Sequence, residues 1–307
     1  MNITVVLNQM IQLFLIIGLG YILFKIGILN DFANKNINTL ILKVTMPAMI
    51  LSSVMNENNA DPNLLLQVFI ISLIVYALLP IIGLIITKIM NVNQKEKGLY
   101  IFMTVFSNVG FMGFPVMKSI FGQESIFYTA IFNMIFNLLV YTLGIILINY
   151  GREKKAKINY NDLISPGIIA SIIAIIIFLL RIKVPVLIGN TCSMIGDMTT
   201  PLAMLMIGST LANIKISEIF NDLKIYLYTI IKQILVPMIS FPILNTFIDN
   251  PLVLGITLII LSMPVGNSAV IFSYEYDGDV ALAAKGVFIT TALSVITIPL
   301  ILSLFLV

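Results

Sequence analysis

Phe106-Ser107-Asn108-Val109-Gly110-Phe111-Met112-Gly113-Phe114-Pro115 and Leu261-Ser262-Met263-Pro264-Val265-Gly266-Asn267-Ser268-Ala269 are the two stretches that decide how this chain is read. Each sets Gly, Pro, Ser and Asn in the middle of a run otherwise apolar enough to cross a bilayer. A helix broken in hydrocarbon leaves backbone N–H and C=O groups without partners, which is tolerated only against protein or around a cavity. Two such breaks, one in each half of a chain, point to a transport site near the membrane midplane. Taken singly, each break also reads as an ordinary proline kink with small residues for packing.

Working outward, the composition fits that setting. The chain is 59% hydrophobic and 10% charged, with a mean hydropathy of +1.07, against about 25% charged residues in a soluble domain. This predicts an all-α polytopic membrane protein. The net charge of +3 comes from loop lysines and does not describe a nucleic-acid surface. One cysteine, Cys192, allows no intrachain disulfide and no paired thiolate metal site. The absence of histidine removes imidazole metal ligands, histidine triads and histidine proton relays. The first apolar run has no basic segment before it and no A-x-A pattern, so it reads as a retained helix.

A span needs about 20 mostly apolar residues. Ten predicted helices follow, near 4–24, 36–55, 64–90, 98–121, 125–149, 164–181, 187–212, 222–248, 251–275 and 280–306. The longest hydrophilic piece, from Gly151 to Asp162, divides them five and five, giving repeats over 1–150 and 160–307. One set of loops holds Lys25, Lys35, Lys88, Lys95, Lys97, Arg152, Lys154, Lys155, Lys157, Lys215, Lys224 and Lys285. The other holds Lys118, Arg181 and Lys183 beside Glu57, Asp61, Glu124 and Asp249. The basic set is expected in the cytoplasm, which puts both termini outside and inverts the second repeat relative to the first. A weak internal match supports the repeat. Lys43-Val44-Thr45-Met46-Pro47 parallels Asp197-Met198-Thr199-Thr200-Pro201, and Val109-Gly110 parallels Val265-Gly266.

The candidate residues group around the breaks. Pro115 and Pro264 lack the N–H of the helical ladder; Gly110, Gly113 and Gly266 relax the backbone and allow close approach. Asn108, Asn267, Ser107, Ser262 and Ser268 bring donors and acceptors to the same depth. Half-helix N-termini suit an anion and freed carbonyls a cation. Intramembrane charge adds Asp197 and, at the matching place in the first repeat, Lys43. A mutual ion pair, a proton site at Asp197 and a substrate contact through Lys43 are all open, as is snorkelling of Lys43 to the interface. Lys232 is equally ambiguous. Asn133 and Asn137, four apart on one helix face, either glue helices or line a path. Glu275, Asp277 and Asp279 read as a solvated turn. No P-loop is present, and neither Ile195-Gly196-Asp197 nor Asp277-Gly278-Asp279 matches an intramembrane aspartyl protease, so an enzyme is not expected.

Three blocks carry a family resemblance. Ser107 to Pro115, followed by Ile120-Phe121-Gly122, resembles the N-x-G-x-x-G-x-P element of the auxin efflux carrier family. Thr200-Pro201-Leu202-Ala203 resembles its helix-seven element, and Pro264 to Tyr276 with Thr290-Thr291 and Pro299 its C-terminal block. The resemblance implies a fold related to the bile-acid sodium symporters. Helices four and nine would cross, unwound, at Pro115 and Pro264. Helices 1, 2, 6 and 7 would form a scaffold at a homodimer interface, and helices 3–5 and 8–10 a transport domain moving as an elevator. Substrate would lie near Asn108, Gly110, Gly266, Asn267 and Ser268, supported by Lys43, Thr45, Asp197, Thr200, Asn133 and Asn137. The expected function is secondary active transport of small organic anions, such as carboxylates, across the cell membrane, with no cofactor. Sodium or protons are candidate coupling ions. A cation-coupled carrier of another solute, or a channel or sensor, is the alternative.

Overall fold

The computed structural model describes residues 3–55, 62–151, 166–212, 222–276 and 278–305. The basic stretch with Arg152, Lys154, Lys155 and Lys157 lies outside the described residues, as do Glu57, Asp61, Lys215 and Asp277. Within them, regular structure is helical, and helix occupies each of the ten stretches anticipated above. Three helical stretches, Asn63–Ile89, Leu223–Phe247 and Val280–Phe305, are long and apolar enough individually to cross a membrane.

The helices are α1 (Ile3–Lys25), α2 (Asp31–Leu40), α3 (Met46–Met55), α4 (Pro62–Ile89), α5 (Gln94–Val105), α6 (Phe114–Phe121), α7 (Glu124–Val140), α8 (Leu143–Ile148) and α9 (Pro166–Leu179). They continue as α10 (Val186–Asp197), α11 (Thr199–Ala212), α12 (Leu223–Ile230), α13 (Val236–Phe247), α14 (Pro251–Ser262), α15 (Ser268–Glu275) and α16 (Val280–Phe305). Several boundaries differ from expectation for local reasons. The second helical stretch begins at Asp31, earlier than its hydropathy suggested, because the Asn30 side chain accepts the Ala33 N–H at 2.9 Å and caps it. The fifth is interrupted at Tyr141 and Thr142, and the seventh at Met198.

Prolines explain where helices widen. A proline ring clashes with the carbonyl four residues earlier and offers it no N–H. Single π turns span Ile41–Thr45, Val109–Gly113 and Ile231–Leu235. Each contains the residue four before a proline: Lys43 before Pro47, Phe111 before Pro115, Gln233 before Pro237. A wider turn moves the orphaned carbonyl off the ring without ending the helix. At Pro201 the residue four back is Asp197, and there α10 stops and α11 starts.

Two sets of helices can be told apart by their densest packing, with α6, α7 and α16 also touching α1, α3 or α9. α1 lies along α11, and α3 packs on α9 and α10. The α1–α11 approach is backbone against backbone: a Cβ on Gly208 would fall within 1.8 Å of the Ile17 carbonyl oxygen, and one on Gly20 within 2.1 Å of that of Leu205. Small residues are what allow such contact in a bilayer. The second set joins α4, α5 and α8 with α12 and α14–α16. Tyr100 meets Tyr228 edge to face at 5.2 Å, and the Tyr228 hydroxyl lies 3.2 Å from that of Thr104, fixing α5 to α12.

Gly208→Val is expected to force α1 off α11 and to destabilise the protein by about 1–3 kcal/mol, read as a lower thermal midpoint in detergent. Gly18→Ala, at a position with nothing within 4 Å, is the matched control and should leave the midpoint unchanged.

Candidate functional site

The two broken stretches meet. Ser107 and Val265 pair as an isolated antiparallel bridge. The Asn108 N–H donates to the Pro264 carbonyl at 2.8 Å, and the Gly266 N–H donates to the Phe106 carbonyl at 3.1 Å. This exchange satisfies groups that the breaks would otherwise strand at depth. Gly266 eases it, since a Cβ there would sit tightly, 3.1 Å from the Phe106 oxygen and 3.3 Å from that of Ser107. Gly110 and Gly113 differ: a Cβ at either meets its nearest neighbour at 3.5 Å, an ordinary contact. Close approach therefore belongs to Gly266 alone among these three.

Local turns complete each crossing strand. Asn108 has φ −77° and ψ 64°, and the Val109 N–H returns to the Ser107 carbonyl at 2.8 Å, an inverse γ-turn. The Asn108 side-chain oxygen accepts the Phe111 N–H at 3.2 Å, and its backbone carbonyl accepts the Gly113 N–H at 2.9 Å. With the oxygen committed to capping, the NH2 of Asn108 is what it has left for a ligand. Asn267, at the corresponding place before α15, makes no side-chain cap. The Ala269 and Val270 N–H groups turn back to the Gly266 and Asn267 carbonyls.

The crossing is held from behind by buried polar side chains. The Lys232 amino group, 1% exposed, donates to the Ser107 hydroxyl at 2.9 Å and to the Met263 carbonyl. The Val265 N–H donates to the Thr290 hydroxyl oxygen at 3.0 Å, and that hydroxyl donates to the Gly286 carbonyl at 2.7 Å. Gln233 joins the same support, donating to the Thr290 carbonyl at 2.9 Å and accepting from the Thr297 hydroxyl at 3.3 Å. Lys232 and Gln233 both lie in the π turn before Pro237. The Lys232 sequence position alone was ambiguous; its contacts place it in the crossing.

A cavity of about 560 Å³ opens on one side of the crossing. Of the candidate residues, Asn108, Gly110, Gly266, Asn267, Ser268, Asn133 and Asn137 line it. Its walls are largely apolar, including Met46, Phe111, Phe136, Met206, Val270 and Ile271. The Ser268 hydroxyl is buried without a hydrogen-bond partner, and Asn137 donates to the Asn133 carbonyl at 2.7 Å. Asn34, Lys35 and Asn38 on α2 also line it and were not singled out from sequence. Asn34 and Asn38 are one helical turn apart, the signal that had marked Asn133 and Asn137, but Asn34 falls before the predicted helix start at 36, so the pair was not read on one face. Lys35 is the one Lys, Arg, Asp or Glu among the described lining residues.

The remaining candidates sit elsewhere. Gly113, Pro115 and Pro264 shape the crossing from behind the cavity wall, and Lys43 is exposed and outside the lining. Asp197 pairs with Lys118, at 2.5 Å, and not with Lys43. The hydroxyls of Thr45 and Thr200 are buried without partners. Among the described residues no cluster of three or more Cys, Asp or Glu side chains could hold a metal ion.

Thr290→Val should strand the buried Val265 N–H and cost about 1–3 kcal/mol. Thr290→Ser keeps the acceptor and should hold the parent's thermal midpoint; equal losses in the two variants would show that the hydroxyl does not support the crossing.

A transporter of undetermined function from Methanothermobacter thermautotrophicus is 23% identical over 294 residues, 95% of this chain and 96% of its own. Another from Methanocaldococcus jannaschii is 22% identical, over 93% and 94% of the two chains, and one from Escherichia coli K12 is 25% identical over 76% and 77%. The family model described as membrane transport protein matches residues 5–302. The chain thus belongs to this auxin efflux carrier-like family of membrane transport proteins.

Proposed function

We propose that the protein is a secondary active carrier of small organic anions, with the substrate carboxylate held at the crossing of the two broken stretches. The observation that carries this reading is the charge and donor pattern of the cavity. Its described lining contains Lys35 and no carboxylate. At its crossing wall it offers the Asn108 NH2, the unpartnered Ser268 hydroxyl and the first turn of α15. The start of a helix carries the positive end of its dipole and favours negative charge, although here the Ala269 and Val270 N–H groups are taken up by the Gly266 and Asn267 carbonyls. The apolar walls favour a carboxylate with an apolar body over a compact dianion, whose second charge would lack a partner.

The ten stretches are read as ten crossings in two inverted repeats, with both termini outside the cell membrane. The set built on α1–α3 and α9–α11 is the scaffold, and the set containing the crossing moves against it as an elevator. The denser packing of α1 on α11 and of α3 on α9 and α10 supports that division, across which α1 also touches α6 and α16, and α3 touches α7. Pairing of two chains through the scaffold belongs to the same reading; α10 turns Val186, Leu187 and Met194 outward. A particle mass of one chain in lipid nanodiscs would remove that part.

Lys232 bears on coupling. Three donors radiating from one nitrogen do for the Met263 carbonyl and Ser107 what a bound cation would, so sodium is not needed at that point of the crossing. Channel or sensor behaviour is the competing class, and saturable exchange separates a carrier from it.

Purified protein in liposomes should take up radiolabelled monocarboxylic acids saturably, at the same rate when external sodium is replaced by potassium. Asn108→Ala and Ser268→Ala should each lower uptake about ten-fold or more, the loss of one hydrogen bond to a charged group. Near-normal uptake by both variants would overturn the site; a strict sodium requirement would overturn the role given to Lys232.

A further inference from the structure

Lys118 and Asp197 join α6, the helix that continues from the crossing, to α10 of the set built on α1, α3, α9 and α11. Lys118 lies in the last turn of α6, directly after the crossing, and Asp197 is the last residue of α10. Their side chains meet at 2.5 Å, with Lys118 30% and Asp197 58% exposed. Lys118, in the last turn of α6, suits its own helix dipole, but Asp197 at the end of α10 does not. A carboxylate at a helix C-terminus faces the negative end of the dipole, and a cation beside it relieves both.

The height of the contact is informative. The start of α10 and the end of α6 adjoin loops of the same set, those poor in Lys and Arg, so they belong to one membrane face. α10 is twelve residues long, so Asp197 lies about 16 Å along it from that face. Lys118 lies three residues before the end of α6 at Phe121, about 5 Å along it. With both helix ends level, the two residues would be about 11 Å apart in height, a step that a lysine side chain does not span. The pair therefore sets Lys118 level with the C-terminal end of α10, so the loop-side ends of α6 and α10 are not level with each other. Of the residues that line the cavity, Asn34 and Lys35 in α2 and Thr210 near the end of α11 lie towards loops of the Lys- and Arg-rich set.

We infer that the Lys118–Asp197 ion pair is a state-specific latch, closing the far side of the crossing while the cavity opens to the Lys- and Arg-rich face. It rests on the carrier reading above. When the crossing moves towards the opposite face, α6 rises past Asp197 and the pair must part. The pair therefore weights one end of the cycle and does not touch substrate.

The test uses Ser268→Cys as a reporter in a Cys192→Ser background, labelled by a membrane-impermeant maleimide from each face in sealed, oriented vesicles. Parent protein should label faster from the Lys- and Arg-rich face. Asp197→Asn and Lys118→Gln should each lower that rate about two- to five-fold, the shift expected of a partly exposed ion pair, and raise the rate from the other face. The exchange Lys118→Asp with Asp197→Lys should restore the parental ratio. Unequal parental rates that stay unchanged in both single variants would overturn the latch and leave the carrier reading standing. Equal rates from both faces in the parent would overturn the carrier reading itself.

Discussion

Everything in this protein depends on one demand: a backbone group taken into the depth of a bilayer must find a partner there. The sequence breaks two helices at that depth, and each broken end supplies what the other lacks. The Asn108 N–H meets the Pro264 carbonyl, and the Gly266 N–H meets the Phe106 carbonyl. Lys232 and Thr290 then take up the Met263 carbonyl and the Val265 N–H, which this short bridge cannot reach. The crossing is therefore a small two-stranded element stitched into a helical protein by side chains from neighbouring helices. Its polar inventory is nearly closed from behind, and Asn108, Gly266, Asn267 and Ser268 line the cavity on the other side, a one-sidedness that supports the proposed site.

The two halves of the crossing use similar residues in different roles. Asn108 turns its oxygen inward to cap the turn that follows, while Asn267 makes no such cap. The polar groups left facing the cavity are consequently unlike on the two sides: an amide NH2 from one stretch, an unpartnered hydroxyl and a helix start from the other. A ligand lying across the crossing would meet two distinct ends. Orientation of an asymmetric substrate needs no further device than this.

Much of this was legible in the residues, for physical reasons that can be named. Pro and Gly inside apolar runs marked the two broken stretches; that they cross was implied by the family resemblance, and in the structure they join at Phe106–Asn108 and Pro264–Gly266, several residues before Pro115. Asn133 and Asn137 declared a polar helix face through their spacing, and both line the cavity. Partners of long flexible charged side chains were not legible. Asp197 found Lys118, 79 residues away in the chain, because helix packing and depth decide that contact and local spacing does not. Lys232 was ambiguous for the same reason. The start of α2 was misjudged because a cap at Asn30 extends a helix into residues polar enough to resemble a loop.

The π turns deserve a last consequence. Each holds one residue more than the α-helical turn it replaces, so the side chains beyond it are rotated by about 100° relative to an unbroken helix. At Ile231–Leu235 this slip of phase lets neighbours in sequence, Lys232 and Gln233, both serve the crossing region, one towards Ser107 and the other towards Thr290. An α-helical wheel drawn straight through that segment would assign the wrong face to everything after it. The same holds at Ile41–Thr45 and Val109–Gly113. At Pro47, Pro115 and Pro237 the π turn resets the angular origin of the helix, so the pattern of inward and outward residues has to be counted afresh there, whereas Pro80, Pro242 and Pro299 lie within α-helices with no π turn at the residue four before them.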